Sequence, residues 1–573
     1  MKKILYILVL FTSILFSCDS DLLDLSPLDQ ISDPEFWKTD NDLQLYLNGM
    51  YDNFSGWSRR GTGWSWIPDN GTDIAIYTHK SDRLDGTVNV PSSGGGWSWS
   101  KVRNANYFLE NVHRANGDLV DHYRGEGYFF RAWFYFDLFT QFGDLPIIDK
   151  SLTVEDEDYL YSARAPRNEV ADFILNDLDS AIFLMKTKDE LPPMRLNKDI
   201  ALLFKSRVAL YEGTWEKYHA GTVFGAKNAN PEKYLQQAAD AAKELMDGGR
   251  YTLYTGDTSR AYYDLFNQID YSGNPEVLFW KQYNYVELGR NFGNDVWFWP
   301  NRAGITREQV RSYLCADGLP ISVSPLYQGD TTLSVVTKGR DPRCIQSVMV
   351  PGDVYMISTS GDTTFFANPD LTDNNYCPTG YEWEKFRRPY IDPRVGSFSF
   401  DQGFIIFRYA EALLNYAEAK AELGTLTQAD LDISINLLRD RVGMPHLILG
   451  AITPDPNWPN YGYNLPDYLY EIRRERQVEM LGEGRRFDDL MRWRAHNLII
   501  GQRPHGTKYT DDLKAINANM PEDTEGYLDP YQDALSGVNG GYGFDPNRDY
   551  LKPIPSNELT LNDKLVQNPG WDK

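Results

Sequence analysis

Apolar positions along the chain follow two regimes, one helical and one irregular. Phe36, Leu43, Leu47 and Met50 recur at helical spacing and predict a helix that begins near Pro34 and runs through Tyr51. The same rhythm returns from about Lys101 to Ala115 and from Tyr123 to Gly143. The latter stretch is apolar nearly all round, as a helix buried on several sides requires. Pro166 stands at the start of another helix, with Val170, Phe173, Ile174, Leu178 and Ile182 as one stripe. A partner follows from about Asn197 to Glu212. Pro231 opens a third, with Ala238, Ala241, Ala242 and Leu245 on one face and Gly248-Gly249 at its end. From about Tyr251 to Asp401 glycine, proline, aspartate, threonine and aromatics replace this rhythm, predicting a loop-rich insertion with short strands. Helices return from Phe404 to Gly424, from Thr427 to Val442 and from Glu471 to Trp493. The segment from Tyr550 to Trp571, punctuated by prolines, suits docking in extended form.

Small residues on facing stripes let helices approach closely, and antiparallel pairs with such seams resemble tetratricopeptide repeats, whose full consensus is absent here. The pattern divides the chain into an N-terminal helical part with Trp-rich loops (35–250), the loop-rich insertion (251–402) and a C-terminal helical part (403–573). The fold class expected is mainly α.

The amino end carries a different signal. Lys2 and Lys3 precede an apolar run from Ile4 to Phe16 that is too short to span a bilayer comfortably, which is the architecture of a secretory leader over residues 1–17. The run ends in Leu15-Phe-Ser-Cys18 and looks like a bacterial lipobox, so the resemblance implies lipidation of Cys18. Several acyl chains on one cysteine anchor stably where a single chain does not. Residues 18–34 then form a polar spacer. Asp19, Asp21 and Asp24 resemble the surface-export signal of Bacteroidetes lipoproteins.

Composition narrows the function. A chain of 573 residues that is 42% hydrophobic and 14% aromatic can bury a large core, and its net charge of -24 argues against nucleic acid as a partner. With Cys18 lipidated, Cys315, Cys344 and Cys377 remain, an odd number without Cys-x-x-Cys spacing. Neither a zinc site nor a disulfide framework is indicated, although one pair has the option to bridge. No EF-hand spacing, metal-binding His-Glu-x-x-His, Gly-x-Ser-x-Gly elbow or phosphate loop occurs, and no cofactor is expected.

The candidate chemistry lies in tryptophans spaced two apart. Trp64/Trp66, Trp97/Trp99 and Trp297/Trp299 sit among glycine, proline, asparagine and aspartate, residues of surface turns. In extended backbone each pair projects to one side and presents a broad aromatic face. A pyranose lays its axial C–H bonds on such a face and needs planar hydrogen-bonding groups for its hydroxyls. Asp69, Asn70, Asp73, Arg83, Asn291, Asn294, Asp295 and Arg302 are placed to supply them. The ligand residues expected are Trp64, Trp66, Asp73, Arg83, Trp97, Trp99, Trp297 and Trp299. Core packing is the competing role for every one of these rings.

Two other readings use the same residues. A surface glycoside hydrolase needs two carboxylates about 5–9 Å apart across the sugar, for which Asp69 and Asp73 are candidates. A peptide-binding protein or a helical interaction scaffold would use the rings equally well. The arginines between Glu471 and Trp493 suggest an anion site, but Arg485/Asp489 and Asp488/Arg492 lie four apart and predict internal pairs along one helix.

Several motifs together resemble the SusD/RagB family of surface nutrient-binding lipoproteins. They are Arg131-Ala-Trp-Phe-Tyr-Phe-Asp-Leu-Phe-Thr-Gln-Phe-Gly-Asp-Leu-Pro146, Arg408-Tyr-Ala-Glu-Ala-Leu-Leu-Asn-Tyr-Ala-Glu-Ala419, Glu483-Gly-Arg-Arg-Phe-Asp-Asp-Leu-Met-Arg-Trp493, and Lys552-Pro-Ile-Pro-Ser-Asn-Glu558 with Gln567-Asn-Pro-Gly-Trp571. Asp317-Gly318 and Arg340-Asp-Pro-Arg343 also fit. The resemblance implies a scaffold of four tetratricopeptide-like helix pairs, with irregular loops carrying the ligand site. It further implies a non-catalytic protein, lipid-anchored in the outer membrane and facing outward. Such a protein captures an oligosaccharide and passes it to a SusC-like TonB-dependent transporter. The motifs belong to the scaffold and transfer no ligand residue.

Overall fold

Helices form where the apolar periodicity places them, and their capping residues set the ends. The computed structural model describes residues 36–57, 69, 71–77, 80–288, 303–372, 376–392, 397–398 and 401–572. The leader, Cys18 and the whole spacer lie outside these residues, as do Trp64, Trp66, Trp297, Trp299, Asn70, Asn291, Asn294, Asp295 and Arg302. Helix α1 spans Asp40–Tyr51. It starts at Asp40 rather than near Pro34 because Thr39 Oγ1 accepts from the Asp42 amide while the Asp42 carboxylate accepts from the Thr39 amide. Helices α2 (Ser100–Asn111) and α3 (Val120–Phe142) follow, then α4 (Arg167–Leu184), α5 (Lys198–Tyr218) and α6 (Pro231–Asp247). Asn197 caps α5, and Asn230 caps α6 with Pro231 in its first turn.

The second helical group differs in detail from the sequence expectation. Phe404–Arg408 is a strand, and α7 begins only at Tyr409, running to Glu422. The Phe-Ile-Ile-Phe run is β-branched and aromatic, and a partner strand, Val277–Lys281, is available to take its hydrogen bonds. The segment from Thr427 to Val442 breaks into Gln428–Asp432 and α8 (Ile435–Arg441). The arginine-rich segment is likewise two helices, α9 (Asp467–Glu479) and α10 (Arg486–Arg492). The break comes at Gly482 and Gly484, whose φ angles of 76° and 72° are left-handed and suit glycine.

Neighbours in sequence are neighbours in space. Helix α3 packs on α2 and α4, α4 on α5, α5 on α6, and α7 closes the group against α5, α6 and α9. These helices share one large core, with Phe129, Tyr135, Phe139, Leu203, Leu210, Ala238, Leu413 and Trp493 among its buried members. Residues of the 251–402 stretch, among them Tyr262, Phe266, Trp280, Ile305, Tyr313, Trp383 and Phe386, build a second core with Trp57 and Phe404 from outside it. Among the described residues the strands form four two-stranded antiparallel sheets: β1 (Ala75–Ile76) with β3 (Gly304–Ile305), β2 (Val277–Lys281) with β8 (Phe404–Arg408), β4 (Val354–Ile357) with β5 (Thr363–Phe365), and β6 (Ile391–Asp392) with β7 (Ser397–Phe398). Strand β8 joins the cores, with Phe407 in the first and Phe404 in the second.

Buried arginine–carboxylate pairs cross most helix seams. Arg131 donates to both oxygens of Asp177 at 2.7 Å between α3 and α4, and Arg167 clamps Glu212 between α4 and α5. Arg207 meets Glu411 at 2.6 and 2.7 Å between α5 and α7. Arg492 meets Glu418 at 2.5 and 2.8 Å between α10 and α7. Asp489 accepts from Arg476 on α9 and from Arg492. The predicted four-apart pairs give way to connections between helices and to one three-apart pair, Arg492–Asp489, within α10, because the break at Gly482 and Gly484 ends α9 before α10 begins. At the seam of the two cores Glu479 accepts from Arg343 at 3.0 Å, Arg408 at 2.7 Å and Arg441 at 2.5 Å.

The segment after Asp549 docks in extended form with one short helix, Ser556–Leu561. The Asn568 amide donates to the carbonyls of Phe142 and Lys552, and Trp571 Nε1 donates to Leu551 O. Cys315, Cys344 and Cys377 are all buried free thiols. No helix among the described residues is long and apolar enough to cross a membrane.

Two outcomes follow for stability. Glu479→Gln removes the shared anion from three buried arginines, and unfolding in urea should show a loss of about 3–5 kcal/mol. The pH dependence should peak near mild acidity. Burial raises Asp69 to about 6, Glu382 to about 7 and Glu384 to about 8, so the folded state prefers them protonated. Their contribution is complete below the unfolded carboxylate range and is lost as pH rises through those values. Burial also opposes ionisation of Glu411, but Arg207 and Arg485 outweigh it and hold the group at about 2. That contribution is present above about pH 4.5 and is lost as pH falls toward 2. The thermal midpoint should therefore be highest near about pH 5 and decline toward pH 8, with a shallower decline in Glu384→Gln. A midpoint that climbs steadily to pH 8 contradicts this.

Candidate ligand-binding site

The stems of two Trp-bearing segments meet. Trp57 and Asp69 flank the stretch with Trp64 and Trp66, and Leu288 and Ala303 flank the stretch with Trp297 and Trp299. On the C-terminal side of both, β1 pairs with β3 in the register Ala75↔Ile305 and Ile76↔Gly304. Thr306 reinforces the join, its amide donating to Ile74 O at 3.0 Å and its hydroxyl to Asp73 O at 2.7 Å. On the N-terminal side the Tyr283 hydroxyl reaches Trp57 O at 3.4 Å, and Trp57 Nε1 donates to Gln402 O at 2.9 Å. The Tyr285 amide donates to Asp401 at 2.5 Å. Segments more than 200 residues apart in sequence thus leave from, and return to, one rim.

A clamp of charge fixes this rim to the C-terminal half. Asp69 accepts from the amides of Gly482 at 2.9 Å and Arg486 at 2.8 Å, tying the end of the first Trp segment to the turn before α10. Asp73 takes Arg486 in a two-pronged pair at 2.8 and 2.5 Å. Beside the clamp lies a cavity of about 410 Å³, with Trp57, Trp133, Phe266, Phe386 and Phe404 as apolar walls and Asp69, Arg408, Glu411, Glu483 and Arg485 as polar ones. Burial opposes ionisation of Glu483, yet Arg408 and Lys385 hold its carboxyl below the usual range. Rings mixed with charged, planar hydrogen-bonding groups are the wall chemistry a hydroxylated ring ligand needs.

Trp97 and Trp99 lie elsewhere. Trp97 is 8% exposed, meeting Phe142 edge-on at 5.0 Å and Trp99 at 5.5 Å with the planes 82° apart. Trp99 is half-buried against Tyr135 of α3. The expected flat, exposed face is absent here. The turn at Gly94, Gly95 and Gly96 sends Trp97 inward, and Trp99 has entered the helical region at φ -100°, ψ -1° as the cap of α2. The same-side rule of extended backbone therefore does not apply. Their neighbours belong to α3 and the C-terminal segment, which bonds this loop through Ser556 and Asn557 to Pro91 and Ser92.

The two charged candidates are also internal. Arg83 is buried, donating to Asp549 O at 2.8 Å and to Tyr550 O, with its guanidinium over the Phe487 ring. Asp73 belongs to the clamp. Asp69 and Asp73, the carboxylates a hydrolase would need, are both occupied by protein donors. Arg485, which the sequence placed in an intrahelical pair, instead lines the cavity. Among the described residues no group of three or more histidine, cysteine and acidic side chains is placed to hold a metal ion.

A variant tests the rim's construction. A Cβ at Gly304 would stand 2.1 Å from Thr379 Oγ1 and 3.0 Å from Cys377 Sγ, both fully buried. Gly304→Ala should part β1 from β3, lower the denaturation midpoint by the equivalent of about 1–3 kcal/mol and increase amide exchange at Ile76.

The comparisons with known proteins agree on one family. The model of the SusD family matches residues 265–571, and a second model, described as starch-binding associating with outer membrane, matches residues 75–210. SusD-like protein P2 of Formosa agariphila is 26% identical over 589 residues, covering 99% of this chain and 99% of its own length. SusD-like protein P38 of the same organism is 26% identical over 516 residues, covering 86% of this chain and 91% of its own. Among solved structures, a SusD-like protein from Bacteroides fragilis superposes with a TM-score of 0.68 at 23% identity, over 95% of this chain and 100% of its own. A SusD-like carbohydrate binding protein from the same species gives 0.67 at 20% identity, over 93% of this chain and 100% of its own. These structures share its mainly helical fold.

Proposed function

The chain belongs to the SusD family, and from that premise and the geometry of the rim we propose that it is a non-catalytic glycan-binding protein of the outer membrane. The observation that carries this reading is the β1–β3 pairing, which gives the Trp64/Trp66 and Trp297/Trp299 segments a common base beside a cavity walled by rings and charged groups. The pairs Trp64/Trp66 and Trp297/Trp299 stack on the ligand's sugar faces. Trp97 and Trp99 hold the loop before α2 against α3 instead, Arg83 pins the C-terminal segment, and Asp73 shapes the rim through Arg486. A relative described as a carbohydrate binding protein and a matching family model described as starch-binding support the ligand class. The leader and lipobox support tethering through Cys18 on the outer face. Family membership supports delivery of the bound oligosaccharide to a SusC-like TonB-dependent transporter.

The experiment compares two double variants by calorimetry against a panel of oligosaccharides. Trp297→Ala with Trp299→Ala should weaken binding tenfold or more, equivalent to about 1.4 kcal/mol. Trp97→Ala with Trp99→Ala should leave the affinity of the folded protein within about twofold while lowering its stability by about 3–5 kcal/mol, the cost of emptying a buried ring site. The reverse pattern moves the site to the Trp97 loop. Release of reducing sugar from the panel would convert the reading to a hydrolase.

A further inference from the structure

Asp73 and Arg486 also line a second cleft, of about 460 Å³, that shares no lining residue with the first cavity. Its walls hold four arginines against three carboxylates, a formal charge of +1 in a chain of net charge -24. The carboxylates face internal donors. Asp73 takes Arg486, and Asp455 accepts from Arg474 at 2.7 Å, from Ser322 at 2.8 Å and from the Asn457 amide at 2.9 Å. The third, Glu308, lies beside His505.

The cations are less completely matched. The Arg486 side chain is 3% exposed, and its Nη1 is buried without a hydrogen-bond partner while Nε and Nη2 hold Asp73. An unpaired buried N–H on a charged group is costly, and an oxyanion entering the cleft relieves that cost. Arg311, on the short helix Arg307–Ser312, is exposed, and its side chain has no hydrogen bond or ion pair to any described residue. A ring platform stands ready as well. Tyr470 lines the cleft, and its ring is held in place by stacking on Trp458 at 4.6 Å and 5° between planes. Asn457, Asn497 and Gln502 complete the wall.

We propose that this cleft is a second saccharide site, selective for an acidic sugar whose carboxylate or sulfate is taken by Arg311 and Arg486 Nη1 while its ring lies on Tyr470. The proposal goes beyond the rim site and does not depend on it. Its chemistry is that of an oxyanion beside an apolar ring face, which uronic acids and sulfated sugars share.

Calorimetry on the mature chain with a trigalacturonate, a sulfated trisaccharide and a neutral trisaccharide tests it. Binding of at least one acidic probe should weaken fivefold or more in Arg311→Ala, be partly restored in Arg311→Lys, and weaken as salt rises from about 0.05 to 0.5 M. Which acidic probe responds identifies carboxylate or sulfate. Binding of neither acidic probe, or a loss smaller than fivefold in Arg311→Ala, overturns the proposal. An acidic probe lost in Trp297→Ala with Trp299→Ala but not in Arg311→Ala places the charge at the rim, and the proposal falls while the rim reading stands. If neutral sugars fail to bind the rim but Arg311-dependent binding persists, the rim reading falls and this one stands.

Discussion

The structure depends on buried arginines paired with carboxylates across helix seams. Burying two charges recovers little net stability, because the desolvation cost is close to the attraction gained. The guanidinium fork, however, accepts a carboxylate in few geometries, so each pair admits few helix registers. Arg131–Asp177, Arg167–Glu212, Arg207–Glu411 and Arg492–Glu418 act in this way between successive layers. Small residues such as Ala238, Ala241 and Ala242 permit close approach but would tolerate sliding. Close packing gives the layers their cohesion, and the ion pairs choose the register.

The same device joins scaffold to site. Glu479 ends α9, gathers three arginines from the insertion, β8 and α8, and lies on the border of the two cores. A few residues later the turn at Gly482 supplies amides to Asp69, and α10 supplies Arg486 to Asp73. The stems of the Trp segments are therefore fastened to a heavily cross-linked part of the helical half.

Much of the helical half was legible in the sequence, because 3.6-residue periodicity and capping residues are local signals. Pro231 and Asn197 marked helix starts within a residue. Strand β8 was not legible, since Phe404-Ile-Ile-Phe suits a buried helix or a strand equally until its partner 277–281 is known. The ion pairs were hidden for a related reason: spacing along one helix suggested Arg485/Asp489, whereas Arg476 and Glu418 come from other helices. At the candidate site the Trp-x-Trp spacing alone did not reveal that Trp97 is a core ring. Trp97 and Trp297 have the same spacing from a second ring; the glycine turn before Trp97 and the helix begun at Ser100 turn Trp97 into the core, and Trp297 lies outside the described residues. The role of Asp69, which accepts amides 413 and 417 residues away, has no local signal at all.

The docked C-terminal segment bears on the order in which the molecule assembles. Arg83 bonds to Asp549 and Tyr550 at separations of 466 and 467 residues, and Asn568 bonds to Phe142 at 426. Early helices whose seam is completed from so far along the chain remain open until those residues arrive. Loop-closure entropy makes such late, non-local contacts slow to form. During that interval Phe142, Trp97 and their neighbours are uncovered. That flank is therefore among the last parts of the first core to close.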